Sequence, residues 1–221
     1  MVQEYLRTAK PVASRDLVRA RQLAVSPATI RNEMGELDKS GYLEQPYTSA
    51  GRIPTERGYR FFVDYLLRES VPNRKQAMVL DRVFEEEEDE EAFVKELTRM
   101  ASRMSHTYSA GGLWDDMIFF QAGLAEVFLE PEFADRGFMV DFGKFADTLE
   151  EEIRALFRED TLGESRVFIG KENPLSRSCS YGMIVAPWRH RRGFGGFLAM
   201  IGPTRMDYQR NLAVMRYITQ L

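Results

Sequence analysis

Thr29, Arg31 and Asn32 stand close together in the stretch SPATIRNEMGELDKSGYLEQPYTSAGRIPT, residues 26–55, and their side chains suit the edges of base pairs. An Asn amide can bond adenine through two hydrogen bonds. An Arg guanidinium can do the same to guanine or can pair with a phosphate, and a Thr methyl can meet the methyl of thymine. Further along, Gly51 and Arg52 combine a turn-former with a cation that can reach a phosphate or a narrow minor groove.

Such side chains act only if a helix presents them. Ser26 reads as an N-cap, and Pro27 occupies the first helical position, where its missing N–H costs nothing. Ile30, Met34 and Leu37 recur at i, i+4 and i+7 and are expected to face inward, which leaves Ala28, Thr29, Arg31, Asn32 and Glu33 on or beside the outer face. Gly41 supplies the stop. Upstream, Ser14 reads as the cap of a helix over about 15–22, followed by Arg15; capped helix N-termini at Ser14 and Ser26 suit phosphates. Downstream, YLEQPY and RIPT flank TSAG as a small hairpin carrying Ser49, Gly51 and Arg52, and TERGYRFFVDYLLRE predicts a further helix over about 55–69. Two helices followed by a basic hairpin make the plan of a winged helix-turn-helix, in which the second helix enters the major groove. The competing reading is a helical module for protein contacts with Arg31 and Arg52 solvated, since fold alone does not fix function.

The bulk composition is compatible with this plan. The 221 residues are 44% hydrophobic and 29% charged, as in an ordinary globular chain, and the net charge is −4. That charge is unevenly spread. Residues 1–75 hold 13 Lys/Arg against 9 Asp/Glu, and the rest hold 17 against 25, a basic module of +4 on an acidic body of −8. No apolar run is long enough for a membrane helix, and the beginning lacks a signal-peptide core, so a cytoplasmic protein without a membrane partner is expected. One Cys (Cys179) and two His (His106, His190) offer neither a disulfide nor a clustered ligand set, so no cofactor or metal is expected.

Beyond the basic module, residues 70–76 read as a hinge, and the acidic run Glu85–Glu91 as a solvated face or linker between two helical stretches. From Ile118 the pattern turns mixed: a short strand, helices over about 121–129 and 138–158, strands near 166–169, 180–187 and 194–201, and a last helix from about 205, opened by Thr204 and Asp207 at capping-box spacing. The domains expected are 1–69, a helical, acidic linker or dimerisation region over 70–117, and 118–221, in an α+β chain.

Two enzyme footholds are weaker. VAPWRHRRGFGG resembles the pyrophosphate loop of acyl-CoA-dependent acetyltransferases, but such a loop must open a helix. Here Gly202-Pro203 ends the following segment too soon, and FLAMIGP reads as a strand. Cys179 has Ser178 and Ser180 as neighbours, which supply no base, and a small buried Cys is the commoner case. No catalytic residue is assigned.

VSPATIRNEMGELDKSGYLEQPYTSAGRIPTERGYRFFVD resembles the DNA-binding domain of the heat-inducible transcription repressor HrcA family, and EPEFAD, IGKEN and GPTRMDY resemble that family's C-terminal, GAF-like domain. The likeness covers about residues 1–69 and 118–221. It implies a dimeric repressor of chaperone operons that binds an inverted-repeat operator on double-stranded DNA and has the chaperonin as a partner. It also implies Ser26 to Asn32 as the recognition segment and Ser49 to Arg52 as the wing. The sequence departs from the family in a first helix cut short before EYLRTAKPV, and in early GAF-like strands and an inserted dimerisation domain replaced by the helical stretch 76–117. The C-terminal domain is therefore expected in reduced form, with little room for the enclosed pocket that a small-molecule-responsive regulator would need. A two-fold operator calls for a homodimer. Its surface is expected around Phe93, Leu97 and Met100, with the stripe Phe61, Phe62, Tyr65, Leu66 and the GAF-like remnant as the other candidates.

Overall fold

The structure, a computed structural model, describes all residues except 115–117, 160–163 and 176–180. The chain is α+β and divides into two compact units, Met1–Leu67 and Arg68–Leu221. Cys179, with Ser178 and Ser180, lies outside the described residues.

The first unit runs α1 (Val2–Thr8), α2 (Ser14–Arg21), α3 (Pro27–Lys39), β1 (Leu43–Glu44), β2 (Ile53–Pro54) and α4 (Glu56–Phe61), which continues into a π-helical turn over Phe62–Leu66. Local chemistry sets most of these boundaries. Ser26 caps α3 by accepting from Thr29 N–H at 3.1 Å, and Pro27 opens it. At the other end Gly41 takes φ +75, so that its N–H reaches Asp38 C=O while Tyr42 N–H reaches Leu37 C=O, each at 2.9 Å. Thr55 caps α4 through Gly58 N–H at 3.1 Å. Two expectations fail here. The residue that caps α2 is Ala13, with no side-chain bond, and Ser14 is the first helical residue, buried. Leu37 is 42% exposed, because the small core of Val12, Leu17, Met34, Leu43, Tyr59 and Phe62 takes Met34 from α3 and leaves the following turn outside.

The second unit contains α5 (Arg74–Glu86), α6 (Glu90–Ser105), β3 (Tyr108–Leu113), β4 (Phe119–Ala122), α7 (Leu124–Val127), α8 (Arg136–Glu159), β5 (Arg166–Ile169), β6 (Tyr181–Arg189), β7 (Gly195–Pro203) and α9 (Tyr208–Gln220). Five strands form one antiparallel sheet in the order β4-β3-β7-β6-β5. Both faces of its central strands are buried, which is why β6 and β7 read as unbroken apolar runs. Tyr181, Met183, Val185, Phe197, Ala199 and Ile201 point into an aromatic core with Phe142, Phe145, Leu149 and Ile153 of α8. The opposite face meets α6 and α9; Phe93, for example, sits 5.1 Å from the Trp188 ring.

The expected linker over 70–117 is therefore corrected. Phe93 and Leu97 are fully buried in the second unit, so they are core and not a free dimer surface, and residues 108–113 form a strand between β4 and β7. Asn73 and Gln76, expected in a hinge, cap α5 reciprocally at 3.0 and 3.1 Å. Within the acidic run, Asp89 caps α6 through Ala92 N–H at 2.8 Å, and Glu88 pairs with Arg192 at 2.6 Å. The last helix starts at Tyr208, with Asp207 itself as cap through Arg210 N–H at 3.1 Å; the Thr204 carbonyl instead accepts from the Tyr208 hydroxyl at 2.8 Å.

EPEFAD and GPTRMDY meet in this unit. The Arg205 guanidinium, 10% exposed, lies 2.6 Å from Glu132 and also pairs with Glu130. Replacing Arg205 by Ala leaves these two carboxylates together without a counter-charge. A loss of about 2–3 kcal/mol is expected, between the values for buried and exposed pairs, since both glutamates are partly solvated. Urea unfolding of the variant against the parent chain measures it.

Candidate nucleic-acid interface

The first unit holds a concave cleft of about 500 Å³. Val12, Ala13, Ser14, Arg15 and Asp16 line it from the start of α2, Arg31 and Met34 from α3, and Gln45 with Ser49 to Arg52 from the loop between β1 and β2. Six residues singled out from the sequence thus come together: Ser14, Arg15, Arg31, Ser49, Gly51 and Arg52. The others, Ser26, Pro27, Ala28, Thr29 and Asn32, stand outside the cleft lining on the first turns of α3, with all but the half-buried Pro27 exposed.

Several details adjust the expected roles. Thr29 is tied into the cap, since its hydroxyl lies 2.9 Å from Ser26 Oγ. Ser14 lines the cleft but is buried, so its contribution is to the shape of the helix start. Arg15 and Arg31 are exposed, and neither makes an ion pair among the described residues. Arg52 differs from both. Its Nε lies 2.6 Å from Asp38 Oδ2, and the two side chains are only 23% and 33% exposed.

Gly51 is required for close approach rather than for a turn. A Cβ there would collide with the backbone carbonyl of Val12, because Arg52 and Val12 exchange both backbone hydrogen bonds, at 2.9 and 3.0 Å. Gln45 orders the same loop from inside: its amide donates to the carbonyls of Thr48 and Ala50, both at 2.9 Å. Asp38 and Gln45 escaped the sequence reading. A Gln three residues before a Thr-Ser-Ala-Gly turn is the only local signal for Gln45, and Asp38 has none, since its partner lies on another element.

The arrangement offers an exposed polar helix N-terminus, two uncommitted guanidinium groups and a braced loop beside them. In the second unit, the glycine-rich segment after His190 leads into β7, so it opens a strand and has no helix N-terminus for a pyrophosphate. His190 is buried there: one ring nitrogen lies 2.9 Å from the Phe84 carbonyl, and the other accepts from Arg192 N–H at 3.3 Å. Among the described residues no three His, Cys, Asp or Glu gather to hold a metal ion, and no helix is long and apolar enough to cross a membrane.

Curated relatives carry the name heat-inducible transcription repressor HrcA. The one from Pelotomaculum thermopropionicum is 52% identical over 85 residues, 38% of this chain and 24% of that protein. The one from Alkaliphilus metalliredigens is 60% identical over 68 residues, 31% of this chain and 20% of that protein. The matched stretches thus span about a quarter or less of those relatives' lengths. A crystal structure of a hypothetical protein, 17% identical, shares the fold with a TM-score of 0.71 over 99% of this chain and 93% of its own. The family model described as HrcA protein C terminal domain matches residues 60–212, and the chain belongs to the HrcA family.

Proposed function

We propose that the chain is a sequence-specific DNA-binding repressor of heat-shock (chaperone) genes that occupies an inverted-repeat operator as a homodimer. In this reading residues 1–69 are a winged helix-turn-helix, with α3 as recognition helix and the loop between β1 and β2 as wing. The sheet unit is a reduced GAF-like domain that includes α5 and α6, and the chaperonin is the partner that keeps the protein active. One observation supports it above the rest: Arg15, Arg31 and the loop over 45–52 surround one cleft beside the exposed first turns of α3. Exposed cations supply affinity through phosphates, and the polar face of a groove-bound helix supplies sequence. The names of the relatives, heat-inducible transcription repressor, agree with it.

The direct test is fluorescence anisotropy of labelled duplexes from upstream of the host's chaperone genes, at fixed salt. A preference over unrelated duplex of at least about a thousandfold is expected. Equal binding to all duplexes would contradict the proposal.

Asn32→Ala is expected to lose about 1–3 kcal/mol of discrimination at one base pair per half-site, leaving non-specific binding unchanged. Competition with single-base operator variants measures it; equal weakening on specific and random DNA would remove Asn32 from base reading.

Gly35 gives a second test. It lies one turn beyond Arg31 and Asn32, and a Cβ there would meet nothing within 4 Å. Mid-helix glycine costs about 1 kcal/mol relative to alanine, and open space gives no packing reason for it. Gly35→Ala is therefore expected to raise the melting temperature while weakening operator binding, because the added methyl intrudes where the groove wall approaches. Higher melting temperature with unchanged affinity would exclude this close approach.

A further inference from the structure

We infer that Arg52 is a positioning residue of the DNA-binding unit and not itself a phosphate or minor-groove contact. The inference rests on the DNA reading proposed above and replaces the role that the wing position alone suggests for Arg52. The side chain spans from the loop between β1 and β2 to the last turn of α3, and so sets how far the loop stands from the helix that reads the groove.

Both ends of the residue are fixed. At the root, the Arg52 backbone pairs with Val12 in both directions, and Gly51 leaves no slack there. At the head, Nε lies 2.6 Å from Asp38 Oδ2, an ion pair held by charge and distance whose N–H is not aligned as a hydrogen bond, with both side chains mostly shielded. Asp38 is itself held in place, because its carbonyl receives Gly41 N–H at 2.9 Å in the turn that ends α3. Swinging Arg52 onto a phosphate would leave the Asp38 carboxylate unpaired beside DNA, where like charge opposes binding. While the pair is intact its net charge is zero. It then displaces no counterion from the duplex, unlike the exposed Arg15 and Arg31.

The experiment uses the full chain and labelled operator duplex over a salt series, with Arg52→Ala, Asp38→Asn, the double variant, and Arg31→Ala as the control for a residue that touches DNA directly. Arg52→Ala and Asp38→Asn should weaken binding by similar factors, on the order of tenfold, and the double variant should bind no worse than either. Neither should change the slope of log affinity against log salt, whereas Arg31→Ala should lower it by about one unit for each phosphate left without its cation. The exchanged pair, Arg52→Asp with Asp38→Arg, should recover binding that Arg52→Asp alone removes, which separates a specific pairing from general damage to the fold. A lowered slope in Arg52→Ala, together with unchanged or tighter binding in Asp38→Asn, would make Arg52 a phosphate ligand and overturn the inference. An unmodified chain that prefers no duplex would overturn the DNA reading itself, an outcome visible before any variant is compared.

Discussion

The first unit, Met1–Leu67, depends on the approach of two backbones. Gly51 and Arg52 lie against Val12 so closely that a single methyl on Gly51 could not be accommodated. The ribbon of β1 and β2 has only two residue pairs, far too little to stand alone in water. Its loop is instead held from three sides: by the Val12 backbone, by the Gln45 amide within the loop, and by Arg52 on Asp38 of α3. The braced loop forms one wall of the cleft that Arg15 of α2 and Arg31 of α3 also line. A loop without it would have to be ordered at the moment of binding, with the entropic cost taken from affinity.

The second unit is built on a different constraint, a sheet covered on both faces. Its α8 side is filled by aromatic rings packed mostly edge to face, Phe142 among Tyr108, Phe133 and Tyr181. On its other side the hydroxyls of α6 are satisfied by nearby backbone carbonyls; Ser102 donates to the Thr107 carbonyl at 2.8 Å and Ser105 to the Ala101 carbonyl at 2.7 Å. Arg205 then joins the turn before α9 to the segment before α8. The strongly basic turn after His190 is absorbed in the same way, with Arg192 on Glu88 and the His190 ring against the Phe84 carbonyl. A segment that looks like a phosphate loop in sequence is thus a strand connection engaged with the acidic end of α5.

Legibility in the sequence followed the range of the interaction concerned. Ser26-Pro27, Gly41 and Thr55 were readable because caps and stops act within four residues, and β6 and β7 because burial on both faces makes an unbroken apolar run. The strand β3, YSAGGL, was not readable: two glycines and few β-formers hide it, and it exists because β4 and β7 flank it. Phe93 and Leu97 show that helical spacing marks a buried face without saying whether the same chain or another covers it. In the candidate site, the positions on α3 and in the loop between β1 and β2 were chosen from local pattern, and six of the eleven line one cleft. The pairing of Arg52 with Asp38 could not be found that way, since it joins elements separated by a turn and a strand.

The measurement that bears most directly on this account is hydrogen–deuterium exchange of the full chain with and without operator duplex. New protection confined to the start of α2, residues 26–35 and the loop over 45–52 is the predicted result. Protection that leaves these segments unchanged and falls on the sheet unit instead would contradict the assignment of the cleft.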